Sequence, residues 1–119
     1  MVKPVNLNDT NFDSVVRKHS LVMIDFWTAD CQPCKVVAPI VDDLAKKYEG
    51  ELFVGAVRAD ENPNTARRFG IRGVPTLLVM KEGEEIDRIN LQITDITQLM
   101  KDYIDEKLKR HLGKQEQRG

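Results

Sequence analysis

Cys31 and Cys34 stand two residues apart in the segment FWTADCQPCK, and the chain has no other cysteine. Residues three apart share one face of a helix, so two thiols at this spacing meet where the segment enters a helix. Such a pair can attack, exchange and resolve a disulfide within one motif. Zinc is the other chemistry a CxxC suggests, but two cysteines supply half of a tetrahedral set and would need a second copy of the chain. Asp25 adds an acid to the apolar run Leu21 to Trp27 just upstream. Burial there disfavours the ionised form, raises the pKa toward neutrality and makes Asp25 a candidate proton acceptor for a neighbouring thiol.

The elements that must position these groups follow from changes in apolar period. Phe12, Val15 and Val16 lie at helical spacing within residues 10 to 19, behind Asn8 and Asp9 as candidate caps. Leu21 to Trp27 is apolar on both faces except at Asp25, as an inner strand of a sheet covered on two sides would be. From Cys31 to Tyr48 the residues Ile40, Val41, Leu44, Ala45 and Tyr48 restore the 3.6 period, with Gly50 as stop signal and Pro39 as an expected kink. LFVGAVRA at 52 to 59 reads as a second inner strand, and residues 62 to 69 as a polar turn and a short helix ended by Gly70. Strand, helix, strand in that order implies a right-handed parallel crossover. Thr76 onward is another strand opened by Pro75, Glu82 and Gly83 form a hairpin turn, and Glu85 to Leu91 returns as a polar edge strand. A last helix carries the stripe Ile96, Leu99, Met100, Tyr103, Ile104 and Leu108 behind Thr94 or Asp95 as cap.

Composition bounds the function. With 119 residues and 41% hydrophobic content the chain can bury one core, over residues 1–112, leaving 113–119 as a frayed tail. Two cysteines are too few to staple a secreted scaffold, and MVKPVNLNDTNF lacks a secretory pattern, so a reducing cytoplasm is the expected location. No apolar run approaches the roughly 20 residues of a membrane span. Lys and Arg total 18 against 19 Asp and Glu, a balance that favours neither nucleic acid nor an anionic membrane as partner.

IDFW before the cysteines, CQPCK at them, IVDDLAKKY after them, then ADENPNTARRFGIRGVPTLL and KEGE, occur in an order that resembles the thioredoxin family over residues 20 to 90. The resemblance implies an α/β thioredoxin fold: a central mixed sheet, a parallel β-α-β unit followed by an antiparallel hairpin, with helices on both faces. It implies a thiol-disulfide oxidoreductase that needs no cofactor beyond the Cys31 to Cys34 disulfide and no metal. Cys31 would be the nucleophile, Cys34 the resolving thiol and Asp25 its proton acceptor. Pro75 would be cis, against the trans default of an X-Pro bond, and the Val74 backbone would pair with an extended substrate segment. Trp27, Gln32, Pro33, Thr76 and Leu91 complete the implied substrate surface. The implied partners are disulfide-containing proteins and a thioredoxin-reductase-like electron donor, with the chain acting as a monomer.

The chain departs from the family's usual pattern at four positions. Asp30 stands where tryptophan is common, and its charge should raise the Cys31 pKa. Gln32 replaces glycine between the cysteines, and Leu91 replaces a glycine of the substrate groove. Ala56 replaces the lysine that often pairs with the buried acid, which makes Asp25 harder to ionise unless Arg58, on the same strand face, reaches it. These departures keep two further functions open: an oxidant or isomerase on the same fold, and a binding module without catalysis. Lys35 reads as an ordinary solvated helix lysine, and His19 and His111 as helix-end residues. Asp60, Glu61, Asn62 and Asn64 lack the spacing of a calcium loop and read as turn and cap residues. The basic stretch from Lys107 reads as a charged helix end.

Overall fold

A computed structural model describes residues 3–90, 102 and 104–112. The apolar run around Asp25 forms β2 (Leu21–Trp27), buried from Leu21 to Phe26. A strand apolar on both faces needs a neighbour on each edge and cover on each side. β2 pairs in parallel with β3 (Phe53–Arg58) and antiparallel with β4 (Thr76–Lys81). β1 (Val5–Leu7) lies parallel to β3 on its outer side, and β5 (Glu84–Asn90) runs antiparallel to β4, giving the order β1-β3-β2-β4-β5. β1 has no counterpart in the sequence reading: three residues, only Leu7 of them buried, are too few to show a period of two.

Alternation along the strands sorts the core into two layers. Leu21, Met23, Val54, Leu77 and Val79 face α2 (Gln32–Lys47) together with Ile104, Leu108 and Leu112 of α4 (residues 104–112). Val22, Ile24, Phe26, Val57 and Leu78 face the other way, onto Phe12 and Val16 of α1 (Phe12–Val16). Helices therefore cover both faces, as the sequence implied. α4 is tied on as well as packed: Lys47 Nζ lies 2.6 Å from Asp105 Oδ2, the Tyr48 hydroxyl donates to the same carboxylate, and His111 Nε2 lies 3.1 Å from Asp87 Oδ2. The remainder of that helical stripe, Ile96, Leu99, Met100 and Tyr103, its caps Thr94 and Asp95, and the tail 113–119 lie outside the described residues.

Two caps differ from expectation. α1 is shorter than residues 10 to 19, and neither Asn8 nor Asp9 is its cap residue; Asn11 is, without a side-chain hydrogen bond. Asn8 instead closes a turn, its Oδ1 accepting from the backbone of Thr10 and Asn11. Asp9 serves α3 (Pro63–Arg68), across 55 residues of sequence: Asn64 and Thr65 N–H donate to its carboxylate at 3.2 and 2.8 Å, and Thr65 Oγ1 donates at 2.6 Å. The start of α3 offers unpaired donors and the positive end of a dipole, and Asp9 is the anion the fold brings there. Pro39 stands inside α2, which continues past it to Lys47. The β4–β5 hairpin turns on Glu82 and Gly83, both at positive φ, which matches the twist of the flanking strands.

Gly55 of β3 is packed so closely that an added Cβ would lie 2.8 Å from Leu7 Cδ1 and 3.1 Å from Ile24 Cδ1. Gly55→Val is expected to destabilise the protein by about 1–3 kcal/mol in a denaturant titration, the range for overpacking a core. Asp9→Ala should lower the denaturation midpoint at neutral pH and lose that effect in acid. The hydrogen bonds from Thr65 and Asn64 hold the Asp9 carboxyl below its ordinary range, so its contribution disappears as pH falls through the folded pKa.

Candidate active site

β2 ends at Trp27, and after a short turn the chain enters α2 with Cys31 as its cap residue. Cys31 has extended backbone (φ −108°, ψ 108°), and its Sγ accepts from the Cys34 N–H at 3.1 Å. Pro33 falls in the first helical turn, where its missing N–H leaves no bond unmade. Cys31 and Cys34 form a disulfide with Cα atoms 5.2 Å apart. Cys34 is buried and Cys31 partly exposed, so the pair presents one sulfur to solvent and keeps the other behind it.

Facing Cys31 is the loop before β4. The Val74–Pro75 peptide is cis, and Val74 O lies 3.8 Å from Cys31 Sγ. Thr76, buried at the head of β4, fixes this loop by donating from Oγ1 to Gly73 O at 2.7 Å. Trp27 is partly exposed on the other flank, with the Arg58 guanidinium 5.8 Å above its ring. Gln32 is exposed. Of the residues singled out from the sequence, then, Trp27, Cys31, Gln32, Pro33, Cys34, Val74, Pro75 and Thr76 are gathered around one disulfide, and Leu91 lies outside the described residues. Asp30 is exposed, with its carboxylate 3.5 Å from Thr28 Oγ1.

Asp25 lies on the α2 side of β2, in register with Ala56. It is 7% exposed, and its Oδ1 is buried with no hydrogen-bond partner among the described residues. Burial, and then the negative field of Asp42, push the carboxyl up from 3.8 to about 7. Arg58 does not relieve it. The guanidinium is held by Asp60 at 2.9 Å and Glu61 at 3.3 Å, so the same-face cation looks outward. Asp42 is the site residue that sequence reading missed. The signal was present: Cys34, Ala38 and Asp42 recur every four residues and so share one stripe of α2.

The remaining candidates from the sequence have local partners. His19 stacks on Phe53 with ring centroids 4.1 Å apart, and Asn62 accepts from Asp9 N–H while donating to Arg58 O. Among the described residues no group of three or more His, Cys, Asp or Glu is placed to hold a metal. No helix of the described residues is long and apolar enough to cross a membrane.

Comparison with known proteins bears on what this arrangement is. The family model described as Thioredoxin matches residues 3–105. The chain is 37% identical over 106 residues to "Thioredoxin 2" of Chlorobaculum tepidum, covering 88% of this chain and 92% of that one. It is 40% identical over 111 residues to "Thioredoxin" of Buchnera aphidicola, covering 92% of this chain and all of the other. Among solved structures, a mutant thioredoxin from Halobacterium salinarum superposes with a TM-score of 0.72 at 30% identity, covering 87% of this chain and 89% of that one.

The Asp25 carboxyl gives stability a definite pH dependence. Its pKa is raised in the folded state, so folding takes up a proton between about pH 4 and pH 7, and stability falls as pH rises through that window. In the oxidised protein Asp25→Asn should match wild type near pH 4 and exceed it above pH 7 by roughly 4 kcal/mol, at about 1.36 kcal/mol for each pH unit between 3.8 and about 7. Denaturant titrations of both proteins across that window measure the difference.

Proposed function

The chain belongs to the thioredoxin family and is a disulfide oxidoreductase, and on that premise we propose that it reduces disulfides in partner proteins by dithiol exchange. The observation that carries the reading is the asymmetry of the pair: a partly exposed Cys31 at the start of α2 and a buried Cys34 one turn inward.

In the reduced protein the Cys31 sulfur would lie at the positive end of α2, beside the Cys34 N–H, and both favour thiolate over thiol. The thiolate attacks one sulfur of a partner disulfide, the partner's S–S bond breaks, and its other sulfur leaves as a thiolate. Cys34 then loses its proton and attacks Cys31 Sγ; the mixed disulfide breaks and the second partner thiolate departs. Two electrons have passed to the partner, and Cys31 and Cys34 are joined. Asp25 is the acceptor of the Cys34 proton. Held near 7, its carboxyl is about half ionised at neutral pH, and it shares one cavity with Cys34.

The substrate lies across Trp27, Gln32, Pro33 and the Val74 to Thr76 loop. Val74 O, 3.8 Å from the reacting sulfur, lets an extended partner segment add to the backbone as a strand would. A reductase-like donor returns the electrons, and a reducing compartment such as the cytoplasm suits that cycle.

Cys31→Ser should abolish reduction of a disulfide-bonded protein substrate, while Cys34→Ser should attack once and accumulate the mixed disulfide, seen by non-reducing electrophoresis. Asp25→Asn should slow the release of that intermediate by about 10²-fold at neutral pH, the lower end for general-base catalysis. Equilibration in defined redox buffers, followed by Trp27 fluorescence, should give a potential near the reducing end of the family of dithiol proteins. A potential at the oxidising end would instead assign the chain as an oxidant or isomerase.

A further inference from the structure

Behind the disulfide, on the α2 side of the sheet, a cavity of about 440 Å³ opens between α2 and the segment leading into β1. Its volume lies in the range of small-molecule sites. The walls are largely apolar, from Trp27, Ala38, Val41 and Ala56, and Asp25 provides a carboxyl among them. A buried polar atom normally has a hydrogen-bond partner. Asp25 Oδ1 has none among the described residues. Ala56 stands opposite it in register and reaches no further than a methyl group, and Arg58, next on that face of β3, is committed to Asp60 and Glu61.

Charge is also ordered by depth. Among the described residues the charged side chains lining the cavity are Asp25, buried; Asp42 of α2, partly buried; and Lys35 of α2 and Lys3 before β1, both exposed. Neither β3 nor the turn after β2 contributes an ionisable group to it, and Cys34 is locked in the disulfide. The acids thus stand deeper than the lysines, whose long stems let their heads stay in water. We propose that this cavity is a binding site for a small primary ammonium on a slender alkyl chain, its head on the Asp25 carboxyl and its chain along Trp27, Ala38 and Val41. With Oδ1 buried, the carboxyl does not present both oxygens to the two-pronged guanidinium, and a point donor suits it better. Binding of this kind needs the cavity and Asp25, not a role for Asp25 in exchange.

The probe is n-butylammonium chloride added to the oxidised full chain, with the Asp25 carboxyl followed by carbon-13 NMR. n-Butanol tests the apolar walls alone, and tetramethylammonium tests ionic strength. Butylammonium competes with the Asp25 proton, so it should lower the Asp25 midpoint from about 7. Its affinity should rise about tenfold per pH unit below that midpoint and level off above it. Both controls should leave the midpoint in place. Asp25→Asn should abolish binding, and Ala56→Lys should do the same by setting an ammonium of the chain's own in the cavity. Equal shifts with tetramethylammonium, no shift at all, or undiminished binding to Asp25→Asn would overturn the site. So would a wild-type chain that binds nothing while Lys3→Met or Lys35→Met raises the Asp25 midpoint, since the occupant would then be the chain's own lysine. A wild-type chain that shows these binding results but reduces no protein disulfide would count against the exchange mechanism and not against the ammonium site.

Discussion

A carboxyl group placed in the middle strand of a sheet buried on both faces is the constraint around which the rest of this structure is arranged. β2 has β3 on one edge and β4 on the other, and helices lie over both of its faces. Six of its seven side chains are buried, and one of the six is Asp25. Nothing on β3 neutralises it, because Ala56 has no charge to offer and Arg58 is drawn off by Asp60 and Glu61. The result is an acid that holds its proton toward neutral pH and lines the same cavity as the buried Cys34.

The same strand sets the geometry above it. Because β2 is central, its carboxyl end delivers the chain into α2 at the middle of the sheet's edge, and β4 runs back beside it. That antiparallel return carries the cis Val74–Pro75 peptide to Cys31, and Thr76 pins the loop to Gly73. The partly exposed sulfur, the cis peptide beside it and the buried acid are consequently three products of one pairing pattern. β2 contributes the acid, the start of α2 the sulfurs and the β4 side the cis peptide.

Much of this was legible from residues alone. The unbroken apolar run of Leu21 to Trp27 marked an inner strand, and the 3.6 period from Ile40 to Tyr48 marked the long helix, because burial on both faces or on one stripe writes itself into residue type. Glu82 and Gly83 marked the hairpin. The roles that failed to transfer were those in which a polar side chain chooses its partner across the fold. Asp9 sat where a local cap was expected and instead caps a helix 55 residues on. Arg58 had the correct face to meet Asp25 and turned to nearer acids. β1 was invisible, since a three-residue edge strand is held by its neighbour's free edge and not by its own pattern.

The sequence by itself determined the chemistry available: two thiols at helical spacing, an acid in an apolar strand, a proline before a further apolar strand, and the order of elements that brings them near one another. Those are local properties, fixed by residue type and period. Tertiary structure alone decided which charges meet. It left Asp25 Oδ1 without a partner among the described residues, set Asp42 on the wall of the same cavity, and kept Lys3 and Lys35 at its exposed rim. Electrostatic pairing depends on distance and burial across elements remote in sequence, and no period or propensity along the chain records either.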